Sequence, residues 1–388
     1  MCVTAIMFAL IRSEICDVAL EETIKTGLTS EVLKELYILS CKHDVAHIVA
    51  SALSKAKLLG EDEVSDAFKN VLMGAVYRDA QREVALTHMT ALLENANIPH
   101  ILLKGSIICQ YYPETWMRTS CDIDILISKK DTESAIEVLC NAGYIRTKDR
   151  STHDYNFLSP NKVHIELHYT LAQGGRFSFS NKILDSVWES YVTKADGYNY
   201  RYSMIPEVFV IYHMAHMARH LVHGGCGVRP LIDLWLINKY IIIDDEKLYS
   251  LLNQTKLLKL YKASCELSTV WLESWKHNEN TKHLEEFILN GGVYGTTSNA
   301  AKVKSARGIS KVRSFLGLMF LQKENLEVLY PKLKNYPILY PFYQAKRWFR
   351  VFNKKKRNRI KHLTEQRNMV TTDEMNETAE LLNQLGLI

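Results

Sequence analysis

The chain has 388 residues, 47% hydrophobic and 23% charged, which excludes a largely disordered protein and leaves room for about two to three domains. Its net charge of +5 is local: between Tyr343 and Asn368, ten Lys and Arg stand against the single acid Glu365, leaving the rest of the chain near −4. The eight cysteines form no CxxC pair, which excludes a zinc ribbon or thioredoxin-type motif and suits small apolar thiols in a reducing cytosol.

The N-terminal stretch MCVTAIMFALIRSEI lacks a basic leader region and a small-residue cleavage site, so it reads as a buried amphipathic helix. No apolar run reaches the roughly 18 residues that a membrane span needs, and the expected location is the cytoplasm. From Glu31 to Leu59 apolar residues recur at three- and four-residue spacing without Pro or Gly, which predicts helix. The segment Ser65–Asn97 continues in the same way and stops before Pro99.

After His100 the texture changes. HILLKG reads as a strand closed by Gly105, SIICQYYPE as a short helix, and CDIDILIS as a second strand. KDTESAIEVLCNAG is a helix capped at Asp131 or Thr132 and closed by Gly143. YIRTKD, YNFLSP and VHIELHYTL are further strands, with SPNK as the turn between the last two. Helical patterns return at Pro206 and run toward the C-terminus, interrupted by a glycine-rich patch from Gly291 to Gly308 that reads as a mobile loop. The expected organisation is a helical region over residues 1–98, a small mixed-sheet α+β core over 99–205, and a helical domain over 206–388 carrying the basic tail 343–368.

Three features of the core converge on one chemistry. A strand ends in Lys104-Gly105-Ser106 and leads into a helix, a place where backbone approaches a ligand closely and amides favour phosphate. Asp122 and Asp124 alternate on a strand and share a face. On a later strand the same alternation puts His164, Glu166 and His168 on one side. Clustered carboxylates of this kind suit an oxygen-liganded divalent cation such as Mg²⁺, which would offset a repulsion that is otherwise costly.

In this order the motifs resemble the DNA-polymerase-β-like nucleotidyltransferases, and more closely the bacterial uncharacterised nucleotidyltransferase family. The likeness is carried by LLKGS, YP, CDIDILI, YNF and VHIELHY, then by HMAHMARHL and GVRPLIDL, over about His47 to Leu260. It implies a polymerase-β-like core, Asp122, Asp124 and Glu166 as ligands of Mg²⁺ or Mn²⁺, and Lys104, Gly105 and Ser106 at the phosphates of an NTP. It also implies transfer of an NMP, AMP by default, to a hydroxyl acceptor, with Glu166 orienting or deprotonating that acceptor. The stretch from Ser106 to Asp122 is longer than in most polymerase-type members, and the third acid is Glu where Asp is usual.

Other residues stay open between two readings. Arg118 either neutralises the carboxylates or contacts phosphate. Arg229 either pairs with Asp233 four residues on or faces the cleft as a phosphate ligand. His213, His216, His220 and His223 share a helical face, which either lines the nucleotide cleft or packs between helices. Family likeness alone brings His153 and Tyr155 near the cleft. The basic tail 343–368, with Trp348, Phe349 and Phe352 among its cations, suits an anionic partner such as RNA or a membrane surface, or else a solvated helix. Two further functions compete with the enzyme: a catalytically silent nucleotide-binding module, and a nucleotidyltransferase that modifies RNA.

Overall fold

A computed structural model of the chain describes residues 2–147, 153–172, 178–310, 316, 320–321, 323–351, 365–366 and 368–388. Its centre is a seven-stranded mixed sheet made of β1 (His100–Leu102), β2 (Asp122–Ile127), β3 (Ile145–Arg146), β4 (Asp154–Leu158), β5 (His164–His168), β6 (Val192–Lys194) and β7 (Arg201–Met204). The spatial order is β3-β4-β5-β2-β1-β7-β6. The β2–β5 and β1–β7 pairs are parallel, and the other neighbours are antiparallel. The strands expected up to His168 are present, and β6 and β7 add an edge that the sequence did not signal. Both are short: β6 carries the single apolar residue Val192, and the alternation of Tyr202 and Met204 in β7 covers only four residues, too few to mark a strand.

Strand alternation decides what each face of the sheet does. On β2, Ile123, Ile125 and Ile127 turn to one side and pack with Phe157, Ile165 and Leu167, with Ala85, Met89 and Leu93 of the Glu63–Asn95 helix, and with Ala135 and Leu139 of the Thr132–Asn141 helix. Leu126, with Ile101 and Leu103 of the β1 segment, belongs instead to a larger cluster. That cluster merges side chains of the N-terminal helices, among them Leu10, Ile48 and Leu53, with Val208, Ile211, Leu231, Leu260 and Leu382 from the C-terminal half. The helices before and after the sheet therefore share one core on the sheet face that also carries Asp122 and Asp124.

The N-terminal stretch is the buried helix expected of it, Val3–Ile15. The helix expected over 31–59 is two, Ser30–Lys42 and Ala46–Lys55. Asp44 separates them at φ +54°, a left-handed conformation that Asp tolerates better than most residues and that no Gly or Pro announces. The glycine-rich patch is also different from the expected loop. Helix Glu279–Gly291 leads directly into it, and Thr297–Ala306 is itself helical, capped by Thr296. Its glycines serve close backbone packing: a Cβ on Gly291 would lie 2.6 Å from the Gly224 carbonyl oxygen, and one on Gly295 2.9 Å from the His223 oxygen. The short turn of Gly291–Thr296 is thereby clasped to the turn of Gly224–Gly227.

Helix Tyr340–Val351 holds the start of the basic segment, and residues 352–364 and 367 of the tail lie outside the described residues. Among the described residues no helix is long and apolar enough to cross a membrane. All eight cysteines are free.

Candidate functional site

Parallel pairing of β2 with β5 sets Asp122 opposite His164, Asp124 opposite Glu166 and Leu126 opposite His168. The two polar alternations read from the sequence thus meet on one face. Asp124 is 4% exposed, and its Oδ1 accepts from His168 Nε2 at 2.8 Å and from Lys104 Nζ at 2.8 Å. His168 Nε2 also lies 3.5 Å from Glu166 Oε2. Burial works against a charged imidazole, but the hydrogen bonds to Asp124 and Glu166 outweigh it and push His168 up to about 9. Burial likewise works against an ionised Asp124, but Lys104 and His168 prevail and hold it well below the usual carboxylate range. Two cations therefore offset the carboxylates, and Asp122 takes a further hydrogen bond from Ser120 Oγ at 2.7 Å.

Lys104 reaches Asp124 from an unusual backbone. Its φ of +44° and ψ of −122° lie where an L-residue is strained, by about 1–3 kcal/mol. The strain aims the chain out of β1 into the single turn Gly105–Ile108. A Cβ on Gly105 would meet Ser120 Cβ at 3.5 Å and Arg118 Nη1 at 3.6 Å, ordinary contacts, so packing within the protein does not demand glycine there. Ser106 stands further off: its amide donates to the Leu103 oxygen at 3.2 Å, and its side chain lines neither cavity described below.

Both arginines are engaged. Arg118 Nε donates to Asp233 Oδ1 at 2.7 Å and Oδ2 at 3.0 Å, and Tyr112 donates its hydroxyl to the same carboxylate at 2.7 Å. Arg229 pairs with Asp44, four residues of helix notwithstanding Asp233, and donates to the Thr119 carbonyl at 2.8 Å and hydroxyl at 3.0 Å. The intrahelical Arg229–Asp233 pair is thus replaced by two long-range ones. Burial disfavours the Asp233 charge, but Arg118 overcomes it and holds the carboxyl below its ordinary value.

The helix Pro206–Val222 closes the face opposite the carboxylates. Two connected hollows result. The smaller, about 250 Å³, is bounded by Gly105, Ser120, Arg118, Arg229, Asp122 and Asp124. The larger, about 860 Å³, holds Glu166, His168, His153, Asp154, Arg219 and His223. Lys104, Asp122, Tyr212, His216, His220 and Tyr294 line both, so the boundary runs along the carboxylates. The histidine face is divided in use. His213 bonds the Pro230 carbonyl at 2.8 Å, while His216 and His220 touch each other through Nε2 at 3.3 Å beside the cleft. His153 stacks on His168 with ring centres 5.9 Å apart, whereas Tyr155 is turned to Tyr169 and Arg146. Tyr212, Arg219, Asp44, Asp154 and Tyr294 were not singled out by sequence. Tyr212 sits in an apolar helical run and Tyr294 among glycines, neither of which marks a site.

The cluster could take a divalent cation once His168 gives up its proton, since only the neutral imidazole can ligate. Asp124, Glu166 and His168 each offer a ligand atom within 4.8 Å of the others, as do His153, Asp154 and His168. Asp122 belongs to neither group, although it borders both hollows.

The mixed sheet thus presents two in-register carboxylates, a lysine and an imidazole to one cleft. The chain matches the family model described as uncharacterised nucleotidyltransferase over residues 30–273, and it belongs to that family. The match spans the sheet, the His-rich helix and Arg229, and stops before Tyr294. No curated protein and no solved structure matches the chain.

Proposed function

We propose that the protein is a divalent-metal-dependent nucleotidyltransferase that moves an NMP unit, AMP by default, from an NTP to a hydroxyl of an acceptor. The observation that carries this reading is Asp124 set in register with Glu166 on adjacent parallel strands, with Lys104 bound to the same carboxylate, in a chain of a nucleotidyltransferase family.

Asp124, Glu166 and His168, the last as a neutral imidazole whose proton the ion displaces, would hold Mg²⁺ or Mn²⁺, with Asp122 beside them. When bound, such an ion would supply charge that neutralises the phosphates. Lys104 and Gly105 lie where the phosphates of the NTP would enter the smaller hollow, and Lys104 adds a fixed positive charge there. The acceptor oxygen attacks the α-phosphorus, and an O–P bond forms. The bond from that phosphorus to the bridging oxygen breaks, and pyrophosphate leaves with its electron pair. The hydroxyl proton passes to the carboxylate of Glu166, which faces the larger hollow. Little covalent work is asked of the protein, so positioning and charge dominate.

The test is incubation with each of the four NTPs labelled at the α-phosphate, with Mg²⁺ or Mn²⁺ and fractionated lysate. Label transfer with pyrophosphate release is expected, and Asp124→Asn and Glu166→Gln should each lower the rate by at least about 100-fold. Wild-type protein that releases no pyrophosphate under any of these conditions would overturn the enzyme and leave a silent nucleotide-binding module.

A further inference from the structure

The cleft has two ends, and its fixed charges are distributed unequally between them. In the smaller hollow Arg118 is taken by Asp233, Arg229 by Asp44, and Lys104 by Asp124. The larger hollow is lined by two fixed cations, Lys104 and Arg219. Arg219 is exposed, and its guanidinium makes no ion pair or hydrogen bond among the described residues. It stands on the same helix as Tyr212, seven residues toward the C-terminus, which at 1.5 Å rise per residue is about 10 Å along the axis.

Its neighbours do not compete for the charge. Burial first, and the charge of Arg219 second, hold His220 down to about 4, so that imidazole is neutral. His223 donates through Nδ1 to the Arg219 carbonyl oxygen at 2.6 Å and so leaves the guanidinium alone. The carboxylates that line the larger hollow have other partners, Asp122 accepting from Ser120 at 2.7 Å. Asp154 lies 3.3 Å from His153 and accepts from Asn156 at 2.7 Å, and Glu166 lies 3.5 Å from His168. An exposed guanidinium on the wall of a cavity of about 860 Å³ presents a planar fork of donors that matches phosphate and carboxylate. That volume is in the range that takes a small-molecule ligand.

We infer that the acceptor is itself anionic, a hydroxyl compound whose phosphate or carboxylate group is held by Arg219 at the far end of the larger hollow while its hydroxyl lies at Glu166. This rests on the reading of Glu166 as the acceptor side of a nucleotidyl transfer. The anionic group takes no part in the bond changes. It anchors the acceptor and keeps its charge away from Asp122 and Glu166, where it would be repelled. An acceptor so held is elongated, with its two functional ends separated by most of the helix between Tyr212 and Arg219.

The experiment titrates inorganic phosphate, and separately acetate, into the full chain with and without saturating α,β-methylene-ATP and Mg²⁺, by calorimetry. Wild type and Arg219→Gln, an exposed substitution, are first shown to melt alike. Wild type is expected to bind one of the two anions, with Arg219→Gln at least fivefold weaker and Arg219→Lys between them, while the nucleotide analogue binds all three within about twofold. The anion bound more tightly identifies the acceptor's charged group. Equal anion affinity in wild type and Arg219→Gln, or no anion binding by wild type, overturns the inference. So does a selective loss of analogue affinity in Arg219→Gln, which would assign Arg219 to the donor. Failure of wild type to bind the analogue at all strikes the nucleotidyltransferase reading itself, and the titration without analogue separates the two failures.

Discussion

Asp233 is 1% exposed at its side chain and carries the charge of Arg118, itself 12% exposed, while accepting the Tyr112 hydroxyl. A buried pair is costly to break because the survivor keeps a charge that nothing nearby compensates. Asp233→Asn should therefore lower unfolding stability by about 3–5 kcal/mol, read from urea midpoints. Tyr112→Phe removes one hydrogen bond and leaves the ion pair, so about 1 kcal/mol is expected from the same measurement. A cost for Asp233→Asn no larger than that of Tyr112→Phe would mean that the pair is not what holds Arg118. Residues of this kind show why some of the site was legible and some was not. Asp122, Asp124, Glu166 and His168 could be placed on shared faces because strand alternation is a local rule. The partners of Arg118 and Arg229 could not, because Asp233 is 115 residues from the one and Asp44 is 185 from the other. The one local pairing on offer, Arg229 with Asp233, did not form.

At the scale of elements, the clasp between the Gly224–Gly227 turn and the Gly291–Thr296 turn positions Tyr294 at the mouth of the cleft. Tyr294 is 82% exposed, yet the backbone that carries it is fixed by contacts that leave no space for a side chain. Gly291→Ala would drive a Cβ to 2.6 Å from the Gly224 oxygen, and overpacking of this sort costs about 1–3 kcal/mol. Gly143→Ala is the comparison: its φ is +85°, but nothing lies within 4 Å of the added carbon, so only the backbone cost of about 1–2 kcal/mol applies. Thermal melts should rank Gly291→Ala below Gly143→Ala, and Gly291→Ala alone should raise the KM for nucleotide or acceptor by displacing the Tyr294 turn. An unchanged KM would separate the clasp from the cleft. Glycine clusters read naturally as flexible loops, since in sequence a glycine that frees the backbone and a glycine that admits another backbone look the same. The break at Asp44 was hidden for a related reason: a single left-handed residue interrupts a helix without disturbing the apolar periodicity around it.

The whole molecule carries buried histidines that bear on its response to acid. His43 is fully buried, and burial above all, with the charge of Lys42 behind it, holds the imidazole down to about 4. His47, 1% exposed and bonded to the Met117 carbonyl at 2.8 Å, is also held below its ordinary value by burial. The unfolded chain takes up these protons near pH 6.5, and the folded chain does not take up that of His43 until about pH 4. Stability is thus complete above about pH 6.5 and falls as pH drops toward 4, with His43 accounting for on the order of 3 kcal/mol. Urea midpoints measured from pH 7.5 to 4.5 should show this loss, and His43→Leu should flatten it; an equal slope in the variant would remove His43 as the cause. The strands up to β5 and the helical flanks were legible because they follow from local patterns, whereas the order of the strands in the sheet and the merging of N- and C-terminal helices into one core were not. The tie of Asp44, Thr119 and Arg229 has a consequence for how the protein forms. Its contacts close loops of 75, 110 and 185 residues, and closures of that length carry an entropic cost that has to be met before the contacts stabilise anything. The cleft is therefore expected to assemble late, together with the comparably distant β1–β7 pair and after the local β4–β5 hairpin, so that ligand binding would arise near the completion of folding.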